Sequence, residues 1–322
     1  MNLRFPAILL ALLLPAAAVT ARERTEERAF PTNGNPALNI AAYRGNITVE
    51  SSDNNEVSIK VTASSLLEQD EAASRALARL QLDWQQTGDS ITLTAGNARE
   101  TGVQFLWQES DRLDMDIVVT VPRTCSLNLA TGSGAIRVGD ITGNVRVKTG
   151  TGLIFCRHID GGLAAGTDYG DIVVSACTGD VNLATKGGFI RTGRIRGKAM
   201  VSTVGGDIEI LCVNGGLTAR ADAGDIIVGI PQHSSGPASV RTAGGNITLK
   251  IDPSANVDIN ASSVWGQVRA MPASRPALPL VTESGGLGRH AIIARVNEGG
   301  TAIEARANGG HVNLMGEVPP FS

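Results

Sequence analysis

From Thr131 onward the chain can be written in rows of 18 residues with no insertion between them. The rows read TGSGAIRVGDITGNVRVK, TGTGLIFCRHIDGGLAAG, TDYGDIVVSACTGDVNLA, TKGGFIRTGRIRGKAMVS and TVGGDIEILCVNGGLTAR, and a sixth opens ADAGDIIV. Three columns stay in register. The fourth is Gly134, Gly152, Gly170, Gly188, Gly206 and Gly224. The sixth is Ile136, Ile154, Ile172, Ile190, Ile208 and Ile226, and the thirteenth is Gly143, Gly161, Gly179, Gly197 and Gly215. A fixed period of this size marks a solenoid, in which each repeat contacts only its neighbours. Within a row, glycine returns after nine residues and is followed by alternating apolar and polar positions, as in Gly170-Asp171-Ile172-Val173-Val174. Alternation with period two is a strand signature. Each row is therefore one coil with two short strands and two Gly-bearing turns.

The fold class that follows is all-β: a single-stranded parallel β-solenoid (β-helix or β-roll) of 18-residue coils. The sixth and eighth columns face inward, as do the fifteenth and seventeenth, while Ile141, Ile159, Cys177, Ile195 and Val213 fill a corner. The Thr column at the row starts suits a turn edge better than a hydroxyl ladder. A seventh coil begins at Thr242 to Ile247, and Val257 to Ala261 continues it. A Pro-rich excursion, Met271 to Pro279, precedes closing strands at Ala302 to Arg306 and Gly310 to Leu314. Upstream, Gly45 to Val49 resembles a coil strand, and Val57 to Val61 is read as its partner. Residues 66–80 form a helix with Leu66, Leu67, Leu77 and Leu80 on one face. Strands are expected at Leu82 to Gln85, Ile91 to Thr94, Met115 to Val121 and Ser126 to Ala130. Solenoid ends need covering, and the helix with its neighbouring strands is the candidate cap. The expected division is 1–21 signal peptide, 22–125 N-terminal strands and capping helix, 126–262 regular solenoid, and 263–322 insertion and closing coils.

The division begins with an address. Arg4 precedes an apolar run, Phe5 to Val19, and the small residues Ala16 to Ala21 lead into Arg22-Glu23-Arg24. This pattern reads as a secretory signal cleaved after Ala21. The run is about 15 residues, short of the ~20 that span a bilayer. The mature chain is thus expected to be exported, periplasmic or extracellular, without a transmembrane segment. Cys125, Cys156, Cys177 and Cys212 would meet an oxidising compartment. Cys156 and Cys177 lie three columns apart in adjacent rows, beyond disulfide reach, so four reduced, mostly buried thiols are expected.

Composition narrows the function classes. Glycine is high at 38 residues, aromatics make up only 3%, and the net charge is −3. A weakly acidic chain lacks the clustered basic surface that nucleic acid demands. The Gly-x-Gly matches are the repeat itself and lack the Lys-Ser/Thr of a P-loop. Calcium-binding rolls need an Asp in every repeat. Here Asp171, Asp207 and Asp225 share their column with Ala135, Leu153 and Phe189. Lys186, Arg191, Arg194, Arg196 and Lys198 crowd one row, near Asp168, Asp171, Asp180, Asp207 and Glu209. That row reads as a solvated mixed-charge face, with a patch for anionic glycan as the sharper option. His158, His233, His290 and His311 have no metal or catalytic spacing. No catalytic, cofactor-binding or metal-ligating residue is predicted, and no cofactor.

One resemblance adds to this. A short helix, a strand pair, a strand ending Thr120-Val121-Pro122 and then Thr-Gly-x-Gly-x-Ile repeats resemble the DUF4097 family. The closing Gly299-Gly300 and Ala307-Asn308-Gly309-Gly310-His311-Val312 are similar too, so the likeness spans roughly residues 38 to 316. Its members are bacterial exported or envelope proteins described as adhesins, related to the DUF2807 head-domain adhesins. The resemblance implies a β-solenoid with a surface or adhesion-like role, and it carries no catalytic motif. The expected function is therefore a non-enzymatic adhesin-like or cell-envelope structural protein, partnered by envelope or extracellular glycan or protein. A glycan- or cell-wall-binding module is the alternative. A polysaccharide lyase or hydrolase of β-helix type is the enzyme alternative.

Overall fold

The computed structural model describes residues 17–20, 22–96, 113–270, 278–285 and 290–317. Among them the chain builds two sheets of 14 strands each. In the first sheet Ile136–Thr142, Ile154–Asp160, Ile172–Cys177, Ile190–Ile195, Ile208–Val213 and Ile226–Ile230 run parallel, side by side. In the second sheet Ser126–Ser133, Val145–Thr151, Leu163–Tyr169, Val181–Thr185, Ala199–Gly205 and Leu217–Ala223 do the same. Register follows the repeat: Ile154 sits between Ile136 and Ile172, and Thr167 between Thr149 and Thr185. The β-solenoid of 18-residue coils is thus the observed architecture.

Burial follows the columns. Ile172, Val174, Cys177, Val181 and Leu183 are buried, and their counterparts in other coils join them in one core between the sheets. The Thr column departs from expectation. Thr131, Thr149, Thr167, Thr185 and Thr203 are buried rather than placed at a turn edge. Each hydroxyl donates to a glycine carbonyl of the preceding coil, as Thr149 does to Gly134 at 2.9 Å and Thr185 to Gly170 at 2.9 Å. A buried hydroxyl needs such an acceptor, and the fourth-column glycines supply it in coil after coil.

One inward hydroxyl has no acceptor. Thr192 occupies the eighth column between Val174 and Ile210, fully buried, and its Oγ1 has no hydrogen-bond partner. Thr192→Val removes that cost without changing shape. The substitution should stabilise the protein by about 1 kcal/mol. A chemical denaturation midpoint at or below that of the parent would show that the hydroxyl is not a liability.

The ends do not follow chain order. Ala37–Ala42 and Asn46–Ser52 form a coil directly against Ser126–Ser133 and Ile136–Thr142. Ser90–Ala95 and Leu113–Pro122 form another coil outside it. Residues 57–61 therefore do not pair with 45–49. Both edges of Asn46–Ser52 are taken by parallel partners, so Glu56–Ser65 pairs antiparallel with Leu113–Pro122 and Glu23–Pro31 instead. The other end mirrors this. Val257–Ser263 does not continue the seventh coil, because Thr301–Ala307 lies between it and Ala238–Thr242. Val312–Gly316 likewise separates Ile247–Ile251 from Val268–Ala270.

The helix spans Asp70–Arg79, shorter than the expected 66–80. Strand Glu56–Ser65 runs almost up to it, and Leu66 is left 58% exposed outside the helix. Ala73, Ala76 and Leu77 form its buried face. Arg24 donates to the Leu77 and Leu80 carbonyls at 3.0 and 2.9 Å, satisfying the helix C-terminus. Nearby, Phe30 of the first sheet meets Trp84 of the second at 6.2 Å between ring centroids, with Arg28 over the Trp84 ring. The helix and these strands cover this end, as a cap must. At the other end Leu280–Gly285 and Ala291–Val296 pair antiparallel, and Leu278 and Leu280 pack against the core. Most of the Pro-rich excursion, 271–277, lies outside the described residues.

Candidate functional site

Two long corners join the sheets. One is formed by the second to fifth columns, where each coil passes from the second sheet to the first. Its polar side chains hold the stack together. Asp171 Oδ1 accepts the Phe189 N–H at 3.0 Å, Asp207 that of Asp225 at 2.8 Å, and Asp225 that of Asn246 at 2.7 Å. Asn46 and Asn246 do the same for Ala135 and His311. His311 continues the ladder: its Nδ1 accepts the Gln267 N–H at 3.0 Å. On the opposite corner Asn144 and Asp180 take the N–H groups of Gly162 and Lys198. A strand-end N–H that neither sheet satisfies thus finds a side-chain oxygen one coil away. Among the described residues no three His, Cys, Asp or Glu side chains gather in a form that could hold a metal.

The crowded basic row is a mixed-charge surface. Lys186 Nζ lies 2.8 Å from Asp168, and Arg191 Nε 2.7 Å from Glu209. Arg191 also stacks over Phe189, 5.6 Å from the ring centroid. Lys198 lies across the molecule, in the opposite corner. The basic residues are therefore not gathered into one patch.

Shallow depressions mark the outer face of the second sheet. One is lined by Leu163, Asp180, Asn182, Met200, Thr218 and Pro237. Its carboxylate, Asp180, is engaged by the Lys198 N–H. Another contains Asp258 and Glu304. The hydrogen bond from Arg295 holds Asp258 below the usual carboxylate range, and that from Arg241 does so for Glu304. Sugar cleavage needs one carboxyl raised as a general acid beside a second that is ionised. Both of these are shifted the other way.

The same first corner gathers what the sequence scatters. Tyr43, Tyr169, Phe189 and Trp265 stand on it, four of the seven aromatic residues in the described chain. Val204 and Val264 are exposed there too. In sequence these rings are far apart, at positions 43, 169, 189 and 265. Aligning the second to fifth columns across all coils, ends included, is the signal that finds them. Tyr169 is 66% exposed, and its ring lies across the next coil, with Cδ1 3.3 Å from the point where a Gly187 side chain would begin.

The cysteines are remote from this surface chemistry. All four are buried free thiols. Burial pushes Cys125 and Cys156 up to about 12. Between an ordinary value near 9 and that 12, the unfolded chain releases protons that the fold retains. Stability is therefore present below pH 9 and falls as pH rises, by about 1.4 kcal/mol per pH unit for each thiol. Cys156→Val should shift the alkaline unfolding midpoint upward. An unchanged alkaline midpoint would mean that this thiol does not contribute to the transition.

Residues 36–311 match the family model described as Toastrack DUF4097. No curated protein matches the chain. Among solved structures, a "putative lipid binding protein" from Parabacteroides distasonis ATCC 8503 aligns at 12% identity and TM-score 0.44, covering 90% of this chain and 96% of that one. A "putative adhesin" from Parabacteroides merdae ATCC 43184 aligns at 10% identity and TM-score 0.42, covering 90% and 95%. Another, from Bacteroides fragilis NCTC 9343, aligns at 11% identity and TM-score 0.38, covering 91% and 97%. With the match spanning the coils and both end assemblies, the chain belongs to the Toastrack DUF4097 family.

Proposed function

We propose that the mature chain is an exported, non-enzymatic β-solenoid that works by presenting its surface, as an adhesin-like or structural protein of the cell envelope. One observation carries this reading. Asp171, Asp207 and Asp225 accept N–H groups of neighbouring coils, and Asp168 and Glu209 pair with Lys186 and Arg191, which leaves a closed stack rather than a reactive cleft. Adhesin-like names among the similar structures agree with it. Glycan or cell-wall docking is the second reading, favoured by the exposed rings on the first corner.

A glycan array and a pull-down from envelope extract, both with the mature protein, test the function. Retention of a glycan or envelope protein without any cleavage supports it. Shortened oligosaccharide products would overturn it. Export has its own test. Strand Ala17–Thr20 lies on the edge of Glu23–Pro31, and the expected cleavage after Ala21 separates the two. The exported protein should begin at Arg22 by N-terminal mass analysis, and a retained leader would refute processing there.

A further inference from the structure

Within this surface-binding reading, we infer that the corner around Tyr169 is a binding platform for a neutral saccharide. Three neighbouring coils contribute to it. Tyr169, Phe189 and Val204 stand on consecutive coils, about 4.8 Å apart along the stack, in the third, fifth and second columns, so their exposed apolar surface is spread across the corner around the Tyr169 ring. Gly187 makes the platform flat. Without a side chain there, the Tyr169 ring lies along the stack over bare backbone while staying 66% exposed.

Charged groups frame the ring in matched pairs. Lys186 and Asp168 bridge two coils at 2.8 Å beside Tyr169. Arg191 lies over Phe189 and is held by Glu209 at 2.7 Å. A pyranose has an apolar C–H face and a rim of hydroxyls that both donate and accept. An aromatic face suits the first, and a carboxylate next to an ammonium suits the second, since each bonds hydroxyls from one side of the donor–acceptor inventory. Lys186 and Arg191 are each held by a carboxylate, so the cations nearest the rings are paired rather than left open to an acidic polymer. Exposed apolar groups rimmed by polar ones are the surface signature of recognition. Phe30 and Trp84 pack against each other in the cap, whereas the Tyr169 ring lies open beside the Lys186–Asp168 pair.

The test uses the whole mature protein against immobilised tetramers of β-linked glucose, galactose and N-acetylglucosamine, with sulfated and uronic-acid oligomers alongside. At least one neutral series should bind. Tyr169→Ala should weaken that binding about tenfold or more, as expected for losing a stacked ring. Lys186→Gln should weaken it severalfold, and Trp265→Ala, on the same corner but at the far end of the stack, should leave it unchanged. Circular dichroism should be the same for all three variants, because none touches the core. Neutral binding that survives Tyr169→Ala overturns the platform. So does binding confined to acidic oligomers and abolished by salt. If no glycan binds but the pull-down still captures an envelope protein, the platform fails and the surface-binding reading stands. If neither assay retains anything, both fail.

Discussion

Ile172→Asp should unfold the central coils. Ile172 is fully buried and is flanked in register by Ile154 and Ile190, so both of its neighbours along the stack are aliphatic. A carboxylate placed there has neither water nor a cation. Whether it stays charged or takes up a proton, the cost is on the order of 5 kcal/mol. The expected result is loss of the far-UV β signal, or a large fall in the denaturation midpoint. Val173→Asp is the control. Its side chain points to the other face of the same strand and is partly exposed, so stability should change little. If the two variants exchange behaviour, the inner and outer faces have been swapped, as a one-residue slip would do.

Gly188→Ala should be almost as damaging as Gly188→Val, and both should cost about 3 kcal/mol or more. The reason is not backbone conformation, because Gly188 has no left-handed φ. It is proximity. A first side-chain carbon at Gly188 would sit inside the van der Waals surface of the Gly170 carbonyl oxygen and carbon, and close to Asp171 Oδ1. Backbone atoms cannot swing aside, and Gly206 rests on Gly188 in the same way. Gly187→Ala provides the contrast, since its one tight contact is the Tyr169 ring at 3.3 Å, which can give, and the Asp168 carbonyl lies at an ordinary 3.9 Å. Thermal melts of the three variants decide the matter. A Gly188→Ala protein that melts with the parent would show that the corner does not need bare backbone.

The central coils were legible in the sequence because each residue's position there depends only on its column. An unbroken 18-residue period and alternating Ile and Val suffice to place Ile172 inside and Val173 outside. The ends were not legible for the opposite reason. Whether Val57 to Val61 joins Asn46–Ser52 depends on which edges are still open, and Leu113–Pro122, far along the chain, decides that. Hydrogen bonds between coils were hidden as well. Nothing beside Thr149 in sequence announces that the Gly134 carbonyl will be its acceptor. The candidate surface was half visible. Asp168 and Lys186 stood out as charges, whereas Tyr169 and Phe189 looked isolated until the stack brought their corners together.

The interleaved ends bear on how a protein of this kind can change in length. An ordinary solenoid can gain or lose a repeat at either tip. Here each outermost coil is built from a segment deeper in the sequence than the coil it covers: Thr301–Ala307 is wedged inside Val257–Ser263, and Ala37–Ala42 lies inside Ser90–Ala95. Deleting residues 301–317 would not shorten the stack from its tip. It would pull out an interior layer and leave Val257–Ser263 facing Ala238–Thr242 across a gap. A duplication of 18 residues between Thr131 and Ile226, by contrast, would pass through unchanged columns and add one complete layer. Variation in the height of the rack should therefore be confined to its middle, with both ends inherited as fixed units.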